Sequence, residues 1–167
     1  MKTNSQSDPK TAEKSPEYLS QLSLSTDLAK KGHYDEAIVN LKALLNNHTG
    51  DEVATGLLAA IYMQIGMDER AIELYDSILV DNPNNPLVRF QKGMAHLRNG
   101  SPEDALSTWE PLLSNDEDFM TQFHAGAAFL QINDTERAKD SLQKAKKNIP
   151  ANHPLAIEVE NLLHKIS

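Results

Sequence analysis

Apolar residues recur along the chain with helical spacing, and this helical pattern itself repeats about every 34 residues. Turn segments start at Gly32, Gly66, Gly100 and Asn133, at intervals of 34, 34 and 33 residues. Each turn is followed after five residues by an Ala, and four residues later by a large apolar residue: Ala37/Leu41, Ala71/Tyr75, Ala105/Trp109 and Ala138/Leu142. A small residue stands seven positions before each turn: Ser25, Ala59, Gly93 and Gly126.

This pattern predicts pairs of antiparallel helices. The small residue of the first helix and the Ala of the second let the two helix axes approach closely, and the large residue fills the space beside them. The Gly or Asn ends the first helix in a conformation with positive φ. Proline-containing segments at 81–86 and 149–150 separate one helix pair from the next.

The pattern resembles the tetratricopeptide repeat (TPR) family, whose period is 34 residues. The second unit carries the most family positions: Leu58, Ala59, Tyr62, Gly66, Ala71, Tyr75 and Pro83. The resemblance covers about residues 18–150. It implies an all-α fold, a right-handed superhelical solenoid of four helix-turn-helix repeats.

The domain boundaries follow from the same period. Residues 1–14 are polar and are predicted to form a disordered N-terminal tail, followed by the TPR domain over 15–167. The repeats are expected at about 18–51, 52–85, 86–118 and 119–150. Leucine and other apolar residues at helical spacing predict a C-terminal capping helix over 153–166, which covers the last repeat.

The third repeat departs from the family pattern. Lys92 stands where an apolar residue is usual, and His96 replaces a tyrosine. Pro111 falls late in the second helix, where a missing backbone donor predicts a kink.

Charge and composition narrow the partner class. The net charge of −8 argues against nucleic acid as the partner. Residues 51–118 carry 13 acidic and 4 basic residues, a net charge of −9, which favours a protein partner with basic flanks. The absence of a long apolar run predicts no direct insertion into membranes. With no visible signal peptide, we expect a cytoplasmic protein, or alternatively a soluble domain cut from a membrane-anchored periplasmic protein.

The sequence offers little for catalysis or for cofactors. It has no cysteine, which excludes disulfides, thiolate zinc sites and a cysteine nucleophile. Its six histidines form no metal-binding pair, and no phosphate-binding or nucleophile motif occurs. Acidic groups such as Asp116–Asp118 lack the remaining ligands of a calcium loop. We therefore expect no enzyme, no metal and no cofactor.

The TPR resemblance implies a concave groove lined by the first helix of each repeat. A row of side chains at spacings of 3, 4 and 3 faces this groove and is predicted to be surplus to helix packing. Its members predicted to bind protein, called here the groove row, are Leu19, Leu22, Val53, Ala60, Met63, Phe90, Met94, Leu97, Met120, Phe123 and Leu130. Leu87 continues the row, and the centre is expected around Phe90 and Phe123.

Two uses of the groove row remain open. It can bind an apolar or amphipathic segment of another protein. Alternatively, it is covered by the tail, by a second copy that self-associates through the groove, or by tight superhelical curvature. A carboxylate clamp, which some family members use to hold a chaperone C-terminus, is disfavoured because the corresponding positions are largely apolar.

The expected function is a non-catalytic adaptor or scaffold for protein–protein interaction. The alternative is a dedicated chaperone that shields an apolar client segment, similar to the small TPR chaperones of bacterial secretion systems.

Overall fold

A computed structural model of the protein describes residues 14–166, and within this range it contains nine α-helices and no strand. Each first helix packs antiparallel on the second helix of its repeat, and successive repeats stack in chain order. The helices are α1 Pro16–Lys30, α2 Tyr34–Asn47, α3 Glu52–Gln64, α4 Asp68–Asp81, α5 Pro86–Arg98, α6 Pro102–Trp109, α7 Phe119–Gln131, α8 Thr135–Asn148 and α9 Leu155–Lys165. This architecture confirms the all-α solenoid of four helix pairs and a C-terminal helix.

The turns inside the repeats have the predicted backbone conformation. Positive φ occurs at Gly32 (80°), Gly66 (77°), Gly100 (78°) and Asn133 (61°). The amide of Met67, the residue after Gly66, donates to the Tyr62 carbonyl at 2.8 Å. In the other three repeats the residue after the turn Gly or Asn donates the equivalent hydrogen bond. These bonds satisfy carbonyls at the end of each first helix, so one local motif reverses the chain four times.

Close contact between small and large residues holds each helix pair together. A Cβ at Gly93 would overlap the indole of Trp109, and one at Gly126 would lie 2.7 Å from Cγ of Leu142. In the first repeat the small residue is polar: Ser25 is fully buried and accepts a hydrogen bond from Asn40 Nδ2 at 2.8 Å. The predicted pairing of small and large positions is therefore confirmed at Gly93 and Gly126.

Pro111 has a stronger effect than the predicted kink. The α-helix α6 ends at Trp109 after eight residues, and Glu110–Leu112 form a 3-10 turn. The prediction of a kinked helix was therefore wrong. Pro111 has no amide hydrogen to donate to the Ser107 carbonyl, and the α-helix gives way to a 3-10 turn, although the Leu113 amide still donates to the Trp109 carbonyl at 3.1 Å. Gln122 of α7, almost fully buried, donates from Nε2 to the carbonyls of Leu113 (3.0 Å) and Asn115 (3.4 Å) in the segment that follows.

Residues 1–13 of the predicted tail lie outside the described residues, but Lys14 does not. Its Nζ lies 2.7 Å from an Asp51 carboxylate oxygen and donates to the Tyr18 hydroxyl at 2.9 Å. Tyr18 in turn donates to Asp51 at 2.7 Å. Lys14 is therefore held against the start of α3, in contrast to its assignment to the tail.

Helix α9 closes the C-terminal end of the solenoid. Val159 is fully buried in a cluster with Phe123 of α7 and with Leu142 and Ala145 of α8. This contact confirms the predicted capping helix and places apolar side chains of α9 against the fourth repeat.

Candidate protein-binding groove

The first residue of the row in each of the first three repeats is solvent-exposed. Leu19, Val53 and Leu87 are 54%, 53% and 66% exposed, and they occupy the same position at the start of α1, α3 and α5. We call these three side chains the exposed edge. Because they recur once per repeat, the three apolar side chains lie at equivalent positions on the first helices of successive repeats.

The middle of the row is more deeply packed than the sequence predicted. Phe123 is 4% exposed and Met63 is 8% exposed, and the hydroxyl of Tyr75 approaches the Met63 sulfur at 3.6 Å. The prediction that the row is surplus to internal packing was therefore wrong for these two residues. For Phe123 the reason is α9, whose Val159 belongs to the same buried cluster.

Phe90 also takes part in the fold. Its ring stacks on Trp109 with centroids 6.0 Å apart and an interplanar angle of 23°, and it lies 5.7 Å from the ring of His124. Trp109 Nε1 donates to the Phe90 carbonyl at 3.0 Å. The expectation that Phe90 contributes little to helix contacts was wrong, because the ring fills the space between the third and fourth repeats.

His124 completes an aromatic cluster with Phe90, Trp109 and Phe123. Its ring centroid lies 5.0 Å from that of Phe123 and 6.3 Å from that of Trp109. Burial lowers the pKa of His124, because the imidazolium form loses hydration there. Sequence reasoning noted this residue only as a polar group near the row, since nothing local shows that three rings surround it.

The other members of the row are intermediate in burial, apart from Ala60, which is exposed. They pack on the hydrophobic clusters and keep part of their surface accessible. This intermediate group comprises Leu22, Met94, Leu97, Met120 and Leu130. The structure thus divides the row into exposed residues (the exposed edge and Ala60), a half-buried group, and the buried Met63 and Phe123.

Charged side chains pair where the third repeat departs from the family pattern. Lys92 contacts Asp76 of the preceding helix at 2.6 Å, and Arg98 contacts Asp68 at 3.3 Å. Burial lowers the pKa of His96, and the Lys92 charge lowers it further. The unusual Lys92 and His96 are therefore accommodated at the junction of α4 and α5.

Neither a metal centre nor a membrane span is apparent in residues 14–166. No group of three or more His, Asp or Glu side chains in this range is placed to hold a metal ion. None of the helices described is both long and apolar enough to cross a bilayer. The candidate binding feature of the described surface is therefore the exposed edge of the groove row.

Comparison with known proteins gives the family. Two tetratricopeptide repeat models match residues 28–89 and 90–153. The chain belongs to the TPR family, whose members generally mediate protein–protein interaction.

Individual proteins are similar to this chain in sequence or in fold. Photosystem I assembly protein Ycf3 from Synechococcus sp. (strain CC9605) is 32% identical over 87 residues, 47% of this chain and 50% of that protein. The chain thus matches about half the length of this relative. MamA from Desulfovibrio magneticus RS-1 superposes with a TM-score of 0.81 at 20% identity, over 91% of this chain and 84% of that one. A tetratricopeptide repeat protein from Parabacteroides merdae gives 0.77 at 20% identity, over 89% and 59%. At these identities the structural matches show the fold alone.

Proposed function

We propose that this protein is a non-catalytic adaptor that binds an apolar or amphipathic segment of another protein along the exposed edge of its groove row. One observation carries the proposal: Leu19, Val53 and Leu87 stay more than half exposed at the same position of three successive repeats. Regularly spaced apolar side chains that the fold does not bury are characteristic of interaction surfaces.

The partner is expected to carry basic residues beside its apolar anchors. Val53 and Leu87 belong to residues 51–118, a range whose net charge is −9. Asp76 and Asp68 already face Lys92 and Arg98, but most acidic side chains of these repeats have no such partner in the described range. Complementary charge mainly accelerates association and selects the partner, while the apolar anchors supply affinity.

A dedicated chaperone is the second candidate. A relative by sequence is named as an assembly protein, which favours a role in the assembly of other proteins. The two candidates differ in what the partner needs: a client aggregates or is degraded without its chaperone, whereas the partner of an adaptor folds alone. Depletion of this protein, followed by measurement of partner solubility, separates them.

Quantitative affinity capture with matched variants tests the groove proposal. The row variant Val53→Ser/Leu87→Ser removes two edge anchors, and the control Val80→Ser/Ile157→Ser removes two side chains that are 81% and 71% exposed outside the row. We expect the row variant to lose partner capture by tenfold or more, about 1.4 kcal/mol, and the control to retain it. Equal capture by both variants would contradict the proposal.

A further inference from the structure

The first repeat presents a second apolar surface, separate from the groove row. Leu24 is 52% exposed on α1 and Val39 is 70% exposed on α2. Together with Leu28 and Ala43 they line a shallow hollow, which we call the N-terminal face; Asp35, Glu36 and Asn40 complete its lining.

Within the solenoid, the positions that correspond to Leu24 and Leu28 are covered in the second and fourth repeats, whereas Glu73 and Ser77, which correspond to Val39 and Ala43, are exposed. One period later, Leu58 and Tyr62 of α3 are 3% and 5% exposed, since α3 packs on α2 of the preceding repeat. In the fourth repeat the corresponding Phe129 is 5% exposed. The α1 side of the N-terminal face therefore has the apolar character of an internal repeat junction, although no described helix precedes it. On the α2 side, Val39 places an apolar side chain at a position that is polar and exposed in the other three repeats.

The two ends of the solenoid differ. At the C-terminal end, α9 buries its apolar stripe against α8, and most of its outward residues are polar: Glu158, Glu160, Asn161, His164 and Lys165. Residues 1–13, by contrast, contain Met1 and Ala12 as their only apolar side chains, so their sequence provides no apolar stripe that could cover the N-terminal face.

We propose that the N-terminal face binds an amphipathic α-helix of a partner protein, seated in the hollow that residues of α1 and α2 line. Because internal repeats cover the positions of Leu24 and Leu28 with a helix, a helix is the element whose shape fits the α1 side of the hollow. Leucines spaced one helical turn apart on the partner helix would contact Leu24, Leu28 and Val39. This second site does not depend on the groove row.

The acidic residues of the lining indicate that the partner helix carries basic residues. Asp35 makes no ion pair among residues 14–166, and Glu36 contacts only His33, at 3.2 Å. Two copies packed face to face would bring these acids together, and the polar outer side of α9 is a poor counterpart. A partner helix with Lys or Arg beside its leucines satisfies both the apolar and the acidic parts of the lining.

Fluorescence anisotropy with two designed peptides tests the proposal on the full-length protein. Both peptides are alanine-based helices with one leucine stripe, and they differ only in carrying flanking lysines or flanking glutamates. We expect the lysine peptide to bind and the glutamate peptide to bind at least tenfold more weakly. Binding should weaken at least tenfold in Leu24→Ser/Val39→Ser, and should persist in Val53→Ser/Leu87→Ser and in Val80→Ser/Ile157→Ser.

A charge-reversal variant distinguishes a loss of binding from a loss of folding. Both side chains changed in Asp35→Lys/Glu36→Lys are exposed, and we expect this variant to prefer the glutamate peptide. No binding of either peptide, or binding that ignores Leu24→Ser/Val39→Ser, would overturn the proposal. Sedimentation that shows a dimer lost in Leu24→Ser/Val39→Ser would also overturn it, by making a second copy the occupant.

Discussion

Gly93 of α5 lies directly against Trp109 of α6, with no room between the Gly93 backbone and the indole for a side chain. The indole is fully buried, and its Nε1 donates to the carbonyl of Phe90, three residues before Gly93. The third repeat therefore depends on a position without a Cβ. This is the least regular repeat, with a second helix of only eight residues.

Gly93→Ala should destabilise the protein by about 1–3 kcal/mol, because the added methyl group overpacks the contact with Trp109. Gly56→Ala is the matched control on α3, where a Cβ would meet only Ile78 Cδ1 at an ordinary 3.9 Å. There alanine should stabilise the helix by roughly 1 kcal/mol or less. Chemical denaturation measures both changes. Equal effects of the two substitutions would contradict the assigned packing.

Phe123→Ala should cost on the order of 3–5 kcal/mol, since the ring is buried between α7, α8 and α9 and its removal leaves a cavity. Leu87→Ala, in a side chain that is 66% exposed, should change stability by less than about 1 kcal/mol. Thermal unfolding of the two variants distinguishes the part of the row that belongs to the core from the part that is free to bind.

Asp51 should stabilise the fold more through its hydrogen bonds to backbone and side-chain groups than through its charge alone. It caps α3 by accepting from the Ala54 amide at 2.9 Å, and it also faces Tyr18 and Lys14. Asp51→Ala removes the cap and should cost about 0.5–2 kcal/mol. Asp51→Asn keeps a capping oxygen and should cost less. A denaturation series on both variants tests the order, and a larger loss for Asn would contradict it.

The Asp51 carboxylate also predicts sensitivity to acid. Burial raises its pKa, but hydrogen bonds from Ala54, Lys14 and Tyr18 together outweigh burial and hold the pKa below the usual 3.8. Its stabilising contribution is therefore present above pH 3.8 and is lost as the pH falls through the lower folded value. The stability difference between wild type and Asp51→Asn should shrink over that range.

His124 predicts a pH dependence in a milder range. Because its folded pKa lies below the ordinary 6.5, the unfolded chain binds more protons, and stability should fall as the pH drops past about 6.5. The loss levels off below the folded pKa. His96, with a lowered pKa of its own, contributes in the same direction. His124→Gln should therefore lose less unfolding free energy than wild type between about pH 7 and about pH 5, a range that spans the ordinary histidine pKa of about 6.5. An unchanged slope would contradict the buried neutral imidazole.

The parts of the fold that local chemistry decides could be predicted from the sequence. A turn glycine such as Gly66 and a small residue such as Gly93 have the same role in every repeat, so their spacing is informative. The burial of Phe123 could not be predicted, because it depends on α9, which lies more than 30 residues further along the chain. Gln122 could not be anticipated either, since the Leu113 and Asn115 carbonyls that it satisfies lie in the segment between α6 and α7, whose path the helical pattern does not determine.

Photo-crosslinking tests the central claim, that the exposed edge of the groove row binds a partner segment. A photoreactive amino acid is placed in turn at the positions of Val53 and Leu87, and at those of Val80 and Ile157 as more exposed controls outside the row. Our account predicts that the same partner is crosslinked from both edge positions and from neither control position. A partner captured from the control positions, with none from Val53 or Leu87, would contradict it.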